Sequence, residues 1–436
     1  MSDASWFKRG YPLYFHLYFF FILSLPFLHP RLVRVGGLGV PLSDALFLIT
    51  ALTWLFALLT RKVEIRWSYF YWPLAAWAAA LVLATIGSQN LQKSVVKLAG
   101  ELYLIGIAVV TYNVIRSIGD LRRLTRIWLI GTAISLVAGL LGVVSYYAGF
   151  RDYHTNPFIE YIGTVPPGPW PRVAAFFIFP NLFINYLSVS LSFVVLATWA
   201  GWIEKRTGLI LIGGILFVGF FTLSPCLGGL ALSAGLWIYL WSKGEGKLLL
   251  GRAGLAAGIF FATLFFIATV ISILSDHPDG FKLPLVERRA VLSHRLGTWT
   301  DAWETTMEYP VFGKGVGLDV ADYYFVTPAG NTERLKDAHN TWLSVSAQMG
   351  LVGLAAFVAV IVFMTRKLIG FSPQSRFGGL LRAALVLALM DAFFYQSISG
   401  SFENARHLWV LFGLIVAVTE EPSFDQEEQP LAEGER

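Results

Sequence analysis

Apolar runs, most of them close to 20 residues long, alternate along the chain with short polar connections. This is the length that an α-helix needs to cross the hydrocarbon core of a bilayer. The pattern therefore predicts an all-α polytopic membrane protein with about 12 transmembrane helices. The division at residues 224–226 stays open, because the two halves around it are short enough to form one broken helix. The predicted spans lie near residues 12–29, 40–60, 67–87, 98–115, 127–148, 173–200, 208–224, 226–242, 254–275, 341–364, 379–397 and 404–419.

One long polar stretch interrupts the apolar pattern and divides the chain into four parts. Residues 1–275 hold the first nine spans, residues 276–339 form a loop subdomain, and residues 340–419 hold the last three spans. The acidic residues 420–436 are typical of a disordered tail. Short helices at the membrane interface are expected in the loop subdomain, which also contains most of the candidate chemistry.

Composition supports a membrane protein and excludes some functions. The chain is 56% hydrophobic and 14% charged, with a mean hydropathy of +0.62, values that are unusual for a soluble domain. Its single cysteine, Cys226, excludes an intramolecular disulfide and a cysteine metal cluster. The net charge of +5 does not indicate nucleic-acid binding, because the basic residues lie between apolar runs. Residues 1–10 lack the features of a cleavable signal peptide.

The positions of lysine and arginine predict the orientation of the spans. Seventeen of these residues fall in one set of connections, and seven fall in the other short connections. Cytoplasmic loops carry an excess of lysine and arginine, so the richer set and both termini are predicted to be cytoplasmic. The long loop 276–339 and the connection 150–171 then lie on the outer side of the membrane.

The outer loop is richer in cations than this rule predicts. Apolar residues recur at helical spacing over residues 285–308. On such a helix Arg288 and Arg295 share a face, two turns apart. Guanidinium groups bind phosphate oxygens bidentately, so this face is a candidate site for a lipid diphosphate. The alternative is a solvated loop whose charges balance. The apolar flank of the helix predicted over residues 285–308 consists of Leu292, Leu296, Trp299 and Trp303.

Arg172 and His339 are candidates beside other spans. Arg172 is expected to open the sixth span, and Pro180 with Asn181 is expected to break that helix and to line a cavity. His339 lies where the loop meets the tenth span, and its ordinary pKa suits a general base. Two structural alternatives remain: Arg172 could reach the lipid headgroups, and His339 could be a polar helix cap. The glycine run 313–317 predicts a tight turn and not a nucleotide fingerprint.

Taken in order, these motifs resemble the O-antigen ligase/polymerase superfamily. The resemblance covers about residues 170–420 and is most specific over 295–354. It rests on R-x3-W-x2-A-W followed by YP-x2-G-x-G-x-G, on H-N-x2-L-x6-G-x2-G, and on an earlier R-x8-N. The matching residues are Arg172, Asn181, Arg295, Trp299, Ala302, Trp303, Tyr309, Pro310, Gly313, Gly315, Gly317, His339, Asn340, Leu343, Gly350 and Gly353.

The resemblance implies a glycosyltransferase of the bacterial inner membrane with a class C-like fold. Its donor would be a glycan on undecaprenyl diphosphate, its acceptor lipid A-core or another glycan, and its cofactors none. By the same resemblance, Arg172 and Arg295 would bind the donor diphosphate, and His339 would deprotonate the acceptor hydroxyl or otherwise assist its attack. Arg288 and Arg289 are candidates for a third cation, although neither matches the family pattern. The chain departs from the family at residues 224–228, where many members carry an arginine.

The sequence also disfavours a bound metal ion. Metal-dependent membrane glycosyltransferases of the class C type use external carboxylates, commonly an acidic pair in the first outer loop, and residues 29–44 contain no such pair. Arginines would then neutralise the leaving diphosphate. Glu101 and Asp391 fall within predicted spans, where carboxylates are often functional. A hydrogen bond between helices explains them equally well, so neither is assigned to the site.

Three functions remain open from the sequence. The first is a ligase that transfers the glycan to an acceptor glycolipid such as lipid A-core. The second is a polymerase that extends the lipid-linked glycan, and the same residues would serve it. A transporter or flippase is disfavoured, because repeated halves and paired intramembrane charges are not visible in the sequence. Membrane lipids are expected around the protein in each case, and nucleic acid in none.

Overall fold

The computed structural model describes residues 11–29, 33–35, 38–152, 154–160, 171–274, 281–282, 289–290, 295–326, 332–400 and 405–425. Helices dominate this part of the chain, and the only strands in it form three short antiparallel hairpins. The thirteen helices found there are α1 (Leu13–Ser24), α2 (Leu42–Leu59), α3 (Tyr71–Ile86), α4 (Leu91–Val114), α5 (Ile118–Tyr147), α6 (Pro180–Trp199), α7 (Lys205–Phe220), α8 (Leu227–Gly244), α9 (Leu248–Leu274), α10 (Arg295–Glu308), α11 (Thr341–Gly370), α12 (Arg376–Ile398) and α13 (Arg406–Glu420).

Each predicted span coincides with one of these helices, and α10 is the additional helix in the loop subdomain. Among the described residues, seven helices are long and apolar enough to cross a membrane: α2, α4, α5, α6, α9, α11 and α12. Two shorter helices, α1 and α3, are also apolar. The all-α polytopic class is therefore supported, and the count of twelve spans stays a prediction. At residues 221–226 the chain leaves the helical conformation, so α7 and α8 are separate helices.

The sixth predicted span begins later than the sequence suggested. Residues 171–179 are not helical, and α6 starts at Pro180. The expectation that Pro180 breaks a helix was wrong, because proline at the first helical position has no hydrogen bond to lose and already has a helical φ. Arg172 consequently lies on an irregular segment in front of α6. Of the seven candidate spans, α6 is the most buried.

The loop helix is shorter than predicted. The hairpins consist of β1 (Val33–Val35) with β2 (Leu38–Val40), β3 (Phe281–Lys282) with β4 (Arg289–Ala290), and β5 (Tyr323–Val326) with β6 (Thr332–Leu335). Because Arg289 lies in β4 and α10 begins at Arg295, no single helix runs from 285 to 308. The predicted shared face of Arg288 and Arg295 is therefore wrong. The backbone of residues 289–290 pairs with that of residues 281–282, and this strand pairing replaces the helix that the spacing of apolar residues predicted there.

Small residues, rather than the predicted apolar flank, form the buried face of α10. Thr298, Ala302 and Thr306 are buried, whereas Leu296 and Trp303 are exposed. Small side chains allow α10 to pack closely against α11. Leu292 lies outside the described residues. The hydroxyls of Thr306 and Ser346 are 3.1 Å apart across this contact, and the Trp299 indole donates to the Ala338 carbonyl at 2.8 Å.

A kink in α11 accommodates the glycine-rich turn. Gly350 has φ 65° and ψ −167°, a conformation that is essentially restricted to glycine. The backbone groups released by the kink pair with the turn: Leu351 N–H donates to the Pro310 carbonyl at 2.8 Å, and Gly315 N–H donates to the Gln348 carbonyl at 3.0 Å. The predicted tight turn at 313–317 therefore anchors the loop subdomain to the kink, and its three glycines all have positive φ.

We expect the substitution Gly350→Ala to destabilise the protein by on the order of 3 kcal/mol, since strained backbone and steric overlap add. A Cβ atom at this position would lie 2.3 Å from the Val311 carbonyl oxygen and 2.7 Å from the Gly313 nitrogen. The thermal unfolding midpoint in detergent measures this effect. The matched control is Gly379→Ala in α12, where a Cβ atom meets nothing within 4 Å and where helix propensity favours alanine. Equal midpoints for the two variants would contradict the assigned role of the kink.

The start of the predicted disordered tail is ordered. Residues 422–425 form a 3-10 turn, and the Asp425 carboxylate accepts hydrogen bonds from the backbone N–H groups of Gln374 at 2.7 Å and Ser375 at 3.0 Å. Glu420 pairs with Lys367 at 2.6 Å. The tail prediction therefore fails over 420–425, and residues 426–436 lie outside the described residues.

Candidate functional site

Three of the candidate residues predicted from the sequence come from separate parts of the chain and meet at one end of the helix bundle. Arg172 precedes α6, Arg295 is the first residue of α10, and His339 lies two residues before α11. Their mutual electrostatic effects link the three side chains, since Arg172 and His339 both interact with Arg295. The sequence separation of more than 160 residues between Arg172 and His339 is closed only by the packing of the helices.

Arg172 is held by backbone and side-chain oxygens. Its Nε donates to the Thr222 carbonyl at 3.3 Å, and one terminal nitrogen donates to Asn181 Oδ1 at 3.4 Å. Burial lowers the pKa of this guanidinium, and the negative charge of Glu160 opposes that shift. Burial in turn raises the pKa of the Glu160 carboxyl, while Arg172 counteracts it. Asn181, singled out in the R-x8-N pattern, thus positions the arginine and does not break a helix.

Arg295 is fixed at the end of α12. One of its terminal nitrogens donates to the Ser399 hydroxyl at 2.8 Å, and Ser399 is the C-cap residue directly after α12. Burial lowers the pKa of the Arg295 guanidinium; a favourable interaction with Cys226 opposes the shift, and the positive charge of Arg172 adds to it. Arginine remains protonated in proteins despite such shifts, so two positive charges stay close together here.

The two guanidinium groups have spare binding capacity. Within the described residues, neither Arg172 nor Arg295 forms an ion pair with a carboxylate at 4.0 Å or less. Their identified hydrogen bonds use only some of the five N–H groups that each arginine carries. Two partly buried like charges repel each other, and a bound anion with several oxygens would relieve that repulsion. The geometry is therefore suited to a phosphate or diphosphate group.

His339 is held in an unusual backbone conformation. Its φ is 49°, in the left-handed region that residues with a Cβ atom rarely adopt. Its backbone N–H donates to Asp337 Oδ1 at 3.2 Å. Next to it, the Asn340 side chain caps α11 by accepting from the N–H groups of Trp342 and Leu343. Because Asn340 provides the cap, His339 is not needed for that structural role.

The surroundings of His339 favour its neutral form. Burial lowers the pKa of the imidazole, the Asp337 carboxylate opposes this shift, and the positive charge of Arg295 adds to it. A neutral imidazole near pH 7 can accept a proton, whereas an imidazolium cannot. The Asp337 charge would then stabilise the imidazolium once it forms. This arrangement is what a general base requires.

The other two arginine candidates are not tested by the side chains that the structure describes. Arg288 lies outside the described residues. The backbone of Arg289 lies in β4, paired with Lys282, and its side chain is also outside them. A third cation from this pair stays a prediction.

Sequence analysis did not identify Ser399, Glu160 or the role of Cys226. Cys226 lies in the segment where many members of the resembled family carry an arginine, and in this chain it interacts with Arg295 and Ser399. The departure from the family pattern thus falls at the site itself. A signal for Ser399 was present in the polar run that follows the eleventh predicted span, but its partner is 104 residues away in sequence.

The structure provides partners for the intramembrane carboxylates. Asp391 accepts a hydrogen bond from the Ser233 hydroxyl at 2.7 Å, which joins α12 to α8. Glu101 forms an ion pair with Lys97 at 3.2 Å within α4.

The acidic side chain of the first outer segment is engaged with a cation. Asp44, at the end of that segment, binds the guanidinium of Arg406. It also accepts a hydrogen bond from Tyr103 at 2.9 Å.

The fold is that of a polytopic membrane protein, and two guanidinium groups suited to an anionic group lie at one end of its helix bundle. The sequence model of the family described as O-antigen ligase matches residues 191–358, which include Arg295 and His339. This match supports assignment of the chain to the O-antigen ligase/polymerase superfamily, and it confirms the resemblance predicted from the sequence. Members of this family are glycosyltransferase-like O-antigen ligases or polymerases. Comparison with curated proteins gave no match.

Proposed function

We propose that this protein is a ligase-type glycosyltransferase that moves a glycan from undecaprenyl diphosphate to an acceptor glycolipid such as lipid A-core. The observation that carries this proposal is the pair of partly buried guanidinium groups, Arg172 and Arg295, which form no ion pair at 4.0 Å or less with a carboxylate among the described residues and lie near His339, whose pKa is lowered by burial. A diphosphate on a lipid supplies the oxygens that such a pair binds.

The reaction requires few chemical groups from the protein. The acceptor hydroxyl oxygen forms a bond to the anomeric carbon of the donor glycan, and the bond from that carbon to the diphosphate oxygen breaks. His339 takes the proton of the acceptor hydroxyl, and undecaprenyl diphosphate leaves with the bonding electron pair. Arg172 and Arg295 stabilise the negative charge that grows on the diphosphate. Positioning of donor and acceptor supplies the remaining acceleration.

We propose that the arginines take the part that a metal ion plays in other enzymes. Asp44, the acidic residue of the first outer segment, is engaged by Arg406 and Tyr103 and is therefore committed to a structural ion pair. The guanidinium groups of Arg172 and Arg295 are positive, and they would repel a divalent cation. The expected outcome is full activity after treatment with a chelator.

The proposed location is the bacterial inner membrane, with both termini cytoplasmic and the site open to the periplasm. The site lies at the end of the bundle that carries the starts of α6, α8 and α11. The connections rich in lysine and arginine fall at the opposite ends of these helices. Since such connections are retained in the cytoplasm, Arg172, Arg295 and His339 would face the outer leaflet, where a lipid-linked glycan can enter from the bilayer.

The glycan profile of a strain that lacks this protein tests the proposal and separates it from the polymerase alternative. A ligase predicts that lipid A-core loses its long polysaccharide while full-length glycan accumulates on undecaprenyl diphosphate. Complementation with the wild-type chain restores the profile, and complementation with Arg295→Ala does not. If the lipid-linked chains instead shorten to single repeats, the protein is a polymerase, and an unchanged profile contradicts both functions.

The rate of transfer should rise with pH through a pKa below the ordinary value of 6.5 for histidine. Burial lowers the pKa of His339, and a base is active only in its deprotonated form, so activity is lost as the pH falls through that pKa. The substitution Asp337→Asn removes the charge that opposes the shift and should move the acid limb to lower pH. Release of undecaprenyl diphosphate from the lipid-linked glycan, followed between pH 4.5 and 8, measures both limbs. An Asp337→Asn limb at higher pH than the wild-type limb would contradict the assignment.

A further inference from the structure

A small cavity adjoins Asp337, between α3, α4 and α11. Its volume is about 30 Å³, which is enough to hold a water molecule. Apolar side chains form part of its wall. Its polar lining consists of Lys97, Glu101, Asp337, Ser344 and Gln348. Asp337 therefore lies between two features: it lines this cavity, and it accepts a hydrogen bond from the backbone N–H of His339.

An ion pair forms the far side of the cavity. Lys97 Nζ lies 3.2 Å from Glu101 Oε1, and Glu101 is only 4% exposed. Its second oxygen, Oε2, is buried and has no hydrogen-bond partner within the described part of the chain. The ammonium of Lys97 also attracts the Asp337 carboxylate, and the positive charge of Arg406 repels the Lys97 ammonium. A buried carboxylate with one unpaired oxygen is costly, so this arrangement calls for an explanation beyond helix packing.

Asp337 connects the ion pair of Lys97 and Glu101 to His339, the candidate general base. One of its oxygens, Oδ1, accepts hydrogen bonds from the His339 backbone N–H at 3.2 Å and from the Ser344 hydroxyl at 3.1 Å. His339 needs such support because its φ of 49° is unfavourable for a residue with a Cβ atom. A carboxylate that accepts a hydrogen bond from Ser344 and is attracted by Lys97 can provide it.

We propose that Lys97 and Glu101 are positioning residues that hold the Asp337 carboxylate in place and thereby set the orientation and charge environment of His339. This inference rests on the proposed function, because it assigns a supporting layer to the same site. Lys97 draws Asp337 into the cavity, and Glu101 limits that attraction by sharing the ammonium. A water molecule in the cavity would satisfy Glu101 Oε2. Among the described residues, Asp337 and Arg295 act electrostatically on His339, and Glu101, Asp337 and Arg406 are among the charged groups that act on Lys97.

The two charges should act on the pH profile in opposite directions. In Lys97→Met the Asp337 charge acts on His339 without competition, so the acid limb moves to higher pH by on the order of 0.5 pH unit. In Glu101→Gln the ammonium of Lys97 is no longer shared with Glu101 and acts more strongly on Asp337, so the limb moves to lower pH by a similar amount. The double variant removes both charges and returns the limb toward the wild-type position. The assay follows release of undecaprenyl diphosphate from the extracted lipid-linked glycan in membrane vesicles.

Each outcome of this experiment has a defined meaning. Opposite shifts that cancel in the double variant support the positioning role. Unchanged limbs in all three variants, with lower yields of folded protein, show a purely structural ion pair and overturn the inference while the proposed function stands. If one single variant fails to fold, the other still reports, with the double variant as its folded reference because it leaves no unpaired buried charge: a limb displaced in the expected direction supports the proposal, and an unchanged limb overturns it. If His339→Asn retains the wild-type rate and limb, His339 is not the base and this inference fails, whereas the glycan profile of the strain that lacks the protein tests the proposed function separately.

Discussion

Arg295→Ala should lower the rate of glycan transfer by about 10²- to 10³-fold, the usual cost of removing one group that stabilises developing charge in a transition state. Arg295 lies beside Arg172, is partly buried and keeps N–H groups available beyond its bond to Ser399. Its loss removes one of the two charges proposed to neutralise the leaving diphosphate. Arg295→Lys should recover part of the rate, because it keeps the charge but not the planar, two-pronged geometry. Release of undecaprenyl diphosphate measures the effect.

The matched control for this prediction is Arg334→Ala. Arg334 lies in β6 of the same loop subdomain, is exposed, and forms ion pairs with Asp319 and Asp322. Surface ion pairs contribute little to stability, so its rate should change by less than about twofold. A double variant at Arg172 and Arg295 should lose less than the product of the two single losses, since both side chains act on one anion. Comparable rates for Arg295→Ala and Arg334→Ala, at equal amounts of protein in the membrane, would disprove the assigned site.

The helices were predictable because a bilayer imposes a length and an apolar composition on every span. Local backbone geometry was less accessible. The helical spacing of apolar residues continued upstream of Arg295, but pairing between β3 and β4 ended the helix there. Pro180 was expected to interrupt a helix and instead begins one. In both cases the composition was correctly recognised, and the boundary depended on hydrogen bonds to other parts of the chain.

For the candidate site, the sequence identified the cations but not their supports. Arg172, Arg295 and His339 were recognisable from residue type and motif spacing. Ser399 and Cys226 could not be assigned to Arg295 without the fold, because no local pattern joins residues so far apart in sequence. The kink at Gly350 was hidden for a different reason, since a glycine within an apolar run is equally consistent with a straight helix. What sequence reasoning missed is therefore mainly long-range contact.

The central question for His339 is whether it accepts a proton or binds the diphosphate, and the substitution His339→Asn separates the two roles. Asparagine tolerates the left-handed conformation found at this position, so the fold should be preserved better than in an alanine variant. As a general base, His339 should account for about 10²- to 10⁴-fold of the rate. The loss should then appear in kcat, with little change in the KM for the lipid-linked donor. Activity that remains should also lack the acid limb of the pH profile.

If His339 instead binds the diphosphate, the pattern differs. Removal of the imidazole then weakens donor binding and raises KM, while the acid limb persists. The exposed His154 provides a control: its backbone N–H bonds to Asp152, it lies in a different loop from His339, and His154→Ala should leave both kcat and the limb unchanged. The neutral imidazole favours the base, since a ligand for a diphosphate would gain from a positive charge that burial and Arg295 both oppose. We therefore expect the kcat effect. A rise in KM alone would reassign His339 to donor binding and leave proton removal to the diphosphate or to solvent.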